Sequence, residues 1–119
     1  MSCYFFDTYA IIELIKGNLG YLKYSEEKII LTQLNLIELY YSLINNFTKE
    51  MASMIYHKFK ESVVEIDDDT IFDAMQLKRT QKNLSYADCI GYAYSKRNKL
   101  KFLTGDREFK NMQGVEFVK

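Results

Sequence analysis

The chain has 119 residues, a length that fits one domain. Hydrophobic residues make up 48%, with ten Tyr and eight Phe among them, enough for a single small core. Sixteen basic and sixteen acidic residues cancel, which excludes a polycationic or polyanionic chain and says nothing by itself about a nucleic-acid partner.

The elements alternate between strand and helix. Residues 3–6 form a short, aromatic-rich apolar run that reads as a buried central strand. Asp7-Thr8 signals a helix start. Ile11, Ile12, Leu14 and Ile15 supply its apolar face, and Gly17 stops it. Residues 19–25 read as another short helical piece and 29–31 as a second strand. Thr32 caps a helix in which Leu34, Ile37, Leu39, Tyr41 and Ile44 recur at helical spacing until Asn45-Asn46. Thr48 opens the next helix, with Met51, Met54, Ile55 and Phe59 on one side. Residues 63–66 read as a third strand. Asp67, Asp68 and Asp69 crowd a helix amino terminus, where the macrodipole favours negative charge. That helix carries Ile71, Phe72, Met75 and Leu77 and fades at Asn83. Ser85 and Asp88 fit a capping box for a helix running to about Asn98. Lys101–Thr104 is a fourth strand, Gly105-Asp106 begins a turn or short helix, and 115–118 is a fifth strand at the edge. The order predicts an α/β fold with a mostly parallel sheet and helices on both faces, as one domain over residues 1–119.

Several classes drop out. No apolar run is long enough to span a bilayer, and the amino terminus reads at once as a strand rather than a signal peptide. Cys3 and Cys89 have no CxxC partner and are expected to be small core hydrophobes, and two Cys with one His argue against structural zinc. A reduced, cytoplasmic protein is expected. Neither GxGxxG nor GxxxxGK[ST] occurs, which argues against dinucleotide enzymes and P-loop NTPases. The charge is unevenly spread: residues 1–74 carry six basic and twelve acidic residues, and residues 75–119 carry ten and four. Such asymmetry marks either a phosphate-binding side or a set of solvated helix faces. Lys78, Arg79, Lys82, Arg107 and Lys110 are the candidate phosphate contacts.

Four acids stand at the ends or openings of predicted elements: Asp7, Glu38, Asp88 and Asp106. Each has a plain structural role available. Asp7 fits a helix N-cap, Asp88 the third position of a capping box, Asp106 a turn, and Glu38 a solvated helix face. Those roles leave the recurrence unexplained. In a parallel sheet the strand ends, and the helices that begin beside them, converge on one edge. Carboxylates gathered near a core need a partner or a cation, and a hard oxygen set suits Mg²⁺ or Mn²⁺. His57 lies on an amphipathic helix and reads as a partly exposed surface residue rather than a base. Tyr86, near the acids, is placed either in the core or as a platform for a base.

At these residues the chain resembles the PIN domain family, the nuclease fold of VapC-type toxins and several RNA-processing enzymes. Phe5-Phe6-Asp7-Thr8 is similar to the family's apolar strand ending in Asp-Ser/Thr. Leu36-Ile37-Glu38 is similar to its helical Glu, Tyr86-Ala87-Asp88-Cys89-Ile90 to its Ala-Asp helix start, and Leu103-Thr104-Gly105-Asp106 to its Thr-x-Asp strand end. The resemblance covers essentially the whole chain and implies a three-layer α/β/α sandwich. It also implies Asp7, Glu38, Asp88 and Asp106 as metal-holding catalytic acids, Mg²⁺ or Mn²⁺ as cofactor, RNA as substrate, and homodimers with two sites on one face. Thr8 and Thr104 are candidates for supporting or phosphate contacts, with Arg107 and Lys110. The short chain favours the toxin of a toxin–antitoxin pair, with an antitoxin partner. A stand-alone RNA-processing nuclease and a catalytically silent PIN module that binds RNA or protein stay open. A phospho-acceptor receiver domain is a further alternative, since residues 63–66 run into Asp67–Asp69, but Glu38 and Asp88 have no place in it.

Overall fold

A computed structural model describes residues 4–119. Cys3, and with it the start of the first predicted strand, lies outside the described residues. In chain order the elements are β1 (Tyr4–Phe6), α1 (Thr8–Lys16), a 3-10 helix (Leu19–Tyr24), β2 (Leu31–Thr32), α2 (Gln33–Asn46), α3 (Lys49–Lys60), β3 (Val63–Val64), α4 (Asp68–Thr80), α5 (Tyr86–Arg97), β4 (Lys101–Thr104), a short 3-10 turn (Arg107–Phe109) and β5 (Val115–Phe117). The alternation expected from the sequence is present, with shorter strands at β2 and β3.

All the strand pairs are parallel. β1 pairs with β4, β4 with β5, and β2 with β3. The Phe6 N–H donates to the Ile30 carbonyl at 3.0 Å. That bond joins the two ladders, so the spatial order reads β3-β2-β1-β4-β5 with β1 in the centre. Alternation along β1 shows the layers. Phe5 faces α5, stacking on Phe102 with ring centroids 5.7 Å apart and meeting Tyr94 at 5.9 Å. Tyr4 points to the other face and meets Tyr24 of the first 3-10 helix edge-on. The sheet therefore lies between two helical layers, and its aromatic side chains fill the core.

Gly91 sets how closely α5 approaches the sheet. A Cβ there would sit 2.8 Å from the Phe5 ring and 3.2 Å from that of Phe102. Glycine inside a helix costs about 1 kcal/mol relative to alanine, so close packing is the reason for it here. Gly91→Ala is expected to lower stability by about 1–3 kcal/mol through overpacking, despite the better helix propensity. A urea melt checks this, and an unchanged midpoint would mean that the contact has slack.

Among the described residues no helix is long and apolar enough to cross a membrane. Cys89 is a buried free thiol, as expected for a small core residue.

Candidate active site

Chain direction brings the four acids to one edge. Asp7 directly follows β1, and Asp106 follows β4 by two residues. The two strands run parallel with Phe6 opposite Leu103. α2 begins where β2 ends, which carries Glu38 to the same edge. α5 runs back towards the start of β4, so its first turn, with Asp88, lies at β4's far end. All four line a single cleft of about 440 Å³, together with Thr8 and Ser85. The buried Asn35 side chain donates to the Ala87 carbonyl at 3.3 Å, tying the openings of α2 and α5 together.

Asp7 occupies the N-cap position of α1 but makes no capping hydrogen bond with its side chain. Its carboxylate is 2% exposed and turns into the cleft. Oδ2 accepts from the Thr104 hydroxyl at 2.6 Å. Oδ1 is buried with no hydrogen-bond partner, alone in this among the described residues. Burial drives the Asp7 pKa up to about 7, the Thr104 bond opposes it, and the charges of Asp88 and Glu38 add to it.

Hydroxyl groups hold Glu38, and backbone N–H groups hold the carboxylates of Asp88 and Asp106. Glu38 accepts from Thr8 Oγ1 at 3.4 Å on one oxygen and from Ser85 Oγ at 2.9 Å on the other. Ser85 and Asp88 form the expected capping box: the Ser85 N–H donates to Asp88 Oδ2 at 2.9 Å, and the Asp88 N–H to Ser85 Oγ at 3.0 Å. Asp88 is pushed up to about 6, chiefly by burial; the Ser85 N–H bond lowers it and Glu38 raises it. Asp106 caps the 3-10 turn by accepting from the Glu108 N–H at 3.0 Å, while its own N–H donates to Thr104 Oγ1 at 3.0 Å. Thr104 thus links Asp106 to Asp7. Gly105 makes that turn fit, since a Cβ there would stand 2.3 Å from both the Tyr9 ring and the Val118 carbonyl.

The donor set suits a hard divalent cation. It consists of carboxylate oxygens, one of them buried without a partner. Among the described residues no three His, Cys, Asp or Glu side chains already stand in a ready-made metal cage. Mg²⁺ keeps several waters and binds through one or two carboxylates, so a cleft of this kind, rather than a closed cage, is compatible with it.

Other expected contacts fall elsewhere. Arg107 and Lys110 are exposed on and just after the 3-10 turn that follows Asp106, and neither lines the cleft. The Lys78 ammonium donates to the Lys82 and Leu84 carbonyls and lies 5.1 Å from the centre of the Tyr86 ring. Tyr86 is 59% exposed, which overturns a core role for it; the polar opening of α5 holds it at the surface. His57 is exposed. Sequence reasoning missed the cleft residues Lys16, Ser42, Asn46 and Asn83. For the first three the signal was the four-residue spacing from Thr8 to Lys16 through Ile12 and from Glu38 to Asn46 through Ser42; Asn83 had none.

The chain belongs to the PIN domain family, whose model matches residues 4–115. Among solved structures it is similar to a toxin–antitoxin complex from Klebsiella pneumoniae, with TM-score 0.72 and 20% identity over 95% of each chain. PAE2754 from Pyrobaculum aerophilum aligns with TM-score 0.69 and 21% identity over 98% of this chain and 90% of that one. VapBC2 from Rickettsia felis, bound to a DNA fragment from its promoter, aligns with TM-score 0.68 and 16% identity over 98% of each chain. At these identities the likeness is one of fold. Curated protein sequences give no match.

Proposed function

We propose that this chain is a metal-dependent endoribonuclease and the toxin of a VapBC-type toxin–antitoxin pair. The observation that carries the nuclease reading is Asp7, a buried carboxylate with one unpartnered oxygen, in a cleft shared with Glu38, Asp88 and Asp106. The toxin reading draws on the structural neighbours, a toxin–antitoxin complex from Klebsiella pneumoniae and the DNA-bound VapBC proteins of Rickettsia felis and Salmonella typhimurium, which match this chain over nearly its full length.

In this reading Asp7, Glu38 and Asp88 hold Mg²⁺ or Mn²⁺, and Asp106 completes the set directly or through water. A cation held there would lower the pKa of an attacking water and neutralise charge on the leaving oxygen. The protein's own part is positioning. Thr104 holds Asp7 through Oδ2 and leaves Oδ1 unpartnered, and Thr8 and Ser85 hold Glu38 between α1 and α5. A homodimer, a cytoplasmic location and an antitoxin partner belong to the same proposal.

Purified protein is expected to cut RNA with Mg²⁺ or Mn²⁺ and to stop in EDTA. Cleavage that persists undiminished in EDTA with metal excluded contradicts the mechanism. For the partner, the product of a neighbouring reading frame is expected to co-purify with the chain and suppress cleavage.

A further inference from the structure

The cleft has a second wall that the carboxylates leave unused. On α2, Ser42 and Asn46 follow Glu38 at intervals of four residues, and on α1, Ile12 and Lys16 follow Thr8 in the same way; all six line the cleft. Four-residue steps return to one helix face. Each helix therefore presents a stripe about 12 Å long, the span of a few stacked nucleotides at roughly 3.4 Å each. Asn83, in the turn before α5, lines the same cleft.

The chemistry of this wall is specific. Lys16 is the one cation among the described residues lining the cleft, which also holds five carboxylates. It is exposed, and Glu13 approaches it only to 4.0 Å. Asn46 Nδ2 donates to the Ser42 carbonyl at 2.7 Å, which orients the carboxamide and leaves Oδ1 to accept. Asn46 and Asn83 are both exposed. The hydrophobic lining is limited to Tyr9 and Ile12, little for the apolar face of a protein helix.

We propose that this wall is a track for single-stranded RNA, in which Lys16 takes a backbone phosphate and Asn46 and Asn83 read base edges. The inference rests on the ribonuclease reading and deepens it. A polyanion entering a cleft of five carboxylates needs a fixed cation beside its path, and Lys16 supplies it. Carboxamides both donate and accept, as recognition of unstacked base edges requires. The substrate contacts of the cleft then lie on α1, on α2 and in the turn before α5.

The test uses the full chain and a fluorescein-labelled single-stranded RNA of randomised sequence. Lys16→Ala is expected to raise KM roughly fivefold or more and to flatten the slope of log affinity against log salt by about 0.7, one phosphate's worth. Its kcat should stay within about twofold, and Lys16→Arg should restore binding. Asn46→Ala and Asn83→Ala should change which nucleotides flank the cut, read by sequencing the products, whereas Lys16→Ala should not. Binding is measured separately by anisotropy with each change in the Asp7→Asn protein. Unchanged KM, salt slope and cut pattern, in variants with parental circular dichroism, overturn the track. So does loss of a co-purifying protein partner with RNA parameters unaltered, which assigns the wall to that protein. If the chain cuts no RNA, the nuclease reading fails, and anisotropy alone decides: a Lys16-dependent slope keeps the track, and absence of RNA binding overturns it.

Discussion

Asp7→Asn is expected to lower RNA cleavage on the order of 100-fold or more, since removing even an outer support of a metal site typically costs 10–100-fold. The same change should raise the stability of the metal-free protein at pH 8. The carboxyl is fully buried and its pKa is pushed from 3.8 to about 7. A carboxyl with a raised folded pKa binds its proton more tightly in the native state. The stabilisation it gains is fully present below about pH 4 and is lost as pH rises to about 7. Three pH units correspond to about 4 kcal/mol. Asparagine removes the charge yet puts an amide N–H₂ where Oδ1 has no partner, which costs about 1–3 kcal/mol. The net expectation at pH 8 is a gain of roughly 1–3 kcal/mol. At pH 5, where the parent's Asp7 is already protonated, the gain should vanish or reverse. Denaturant melts in EDTA at the two pH values check it; equal differences at both would mean that Asp7 does not titrate as its burial requires.

Asp88→Asn separates the two roles that Asp88 fills. As a capping residue it can be replaced, because the fold already uses asparagine there: Asn35 closes the capping box of α2, accepting from the Thr32 N–H at 3.4 Å. Losing the helix-dipole contribution costs about 0.3–1 kcal/mol. Relief of repulsion with Glu38, which helps hold the Asp88 pKa at about 6, offsets it. Metal-free stability should therefore stay near or above the parent's, while cleavage is abolished and the stabilisation by added Mn²⁺ shrinks. A clear fall in melting temperature with retained cleavage would reduce Asp88 to a helix cap.

These variants rest on residues that the sequence exposed unevenly. Asp7 and Asp106 were legible because strand ends of a parallel sheet share one edge, and Asp88 because a capping box fixes its place in the first turn. Glu38 was legible through its setting, with Leu36 and Leu39 buried on either side of it. That Asp7 sits at an N-cap without capping was not legible, since it depends on Thr104, 97 positions away. Ser85 read only as a cap; its second bond, to Glu38, crosses 47 positions. β2 and β3 came out at two residues each because only Leu31–Thr32 and Val63–Val64 pair, while Ile30 serves the join to β1. The candidate phosphate contacts of the second half, Lys78, Arg79, Lys82, Arg107 and Lys110, do not line the cleft. Lys78 is consumed by backbone carbonyls, and Arg97 by Asp69 and Asp73. The cation in the cleft, Lys16, comes from the acidic half of the chain.

The central claim is that carboxylates from four separate segments make one divalent-cation site. Calorimetric titration of Mn²⁺ into the parent and into Asp7→Asn, Glu38→Gln, Asp88→Asn and Asp106→Asn at pH 8 tests it most directly. The expected result is saturable binding to the parent that is lost or strongly weakened in Asp7→Asn, Glu38→Gln and Asp88→Asn, and weakened to a smaller degree in Asp106→Asn. No Mn²⁺ binding by the parent, or binding that Asp7→Asn leaves intact, would contradict it.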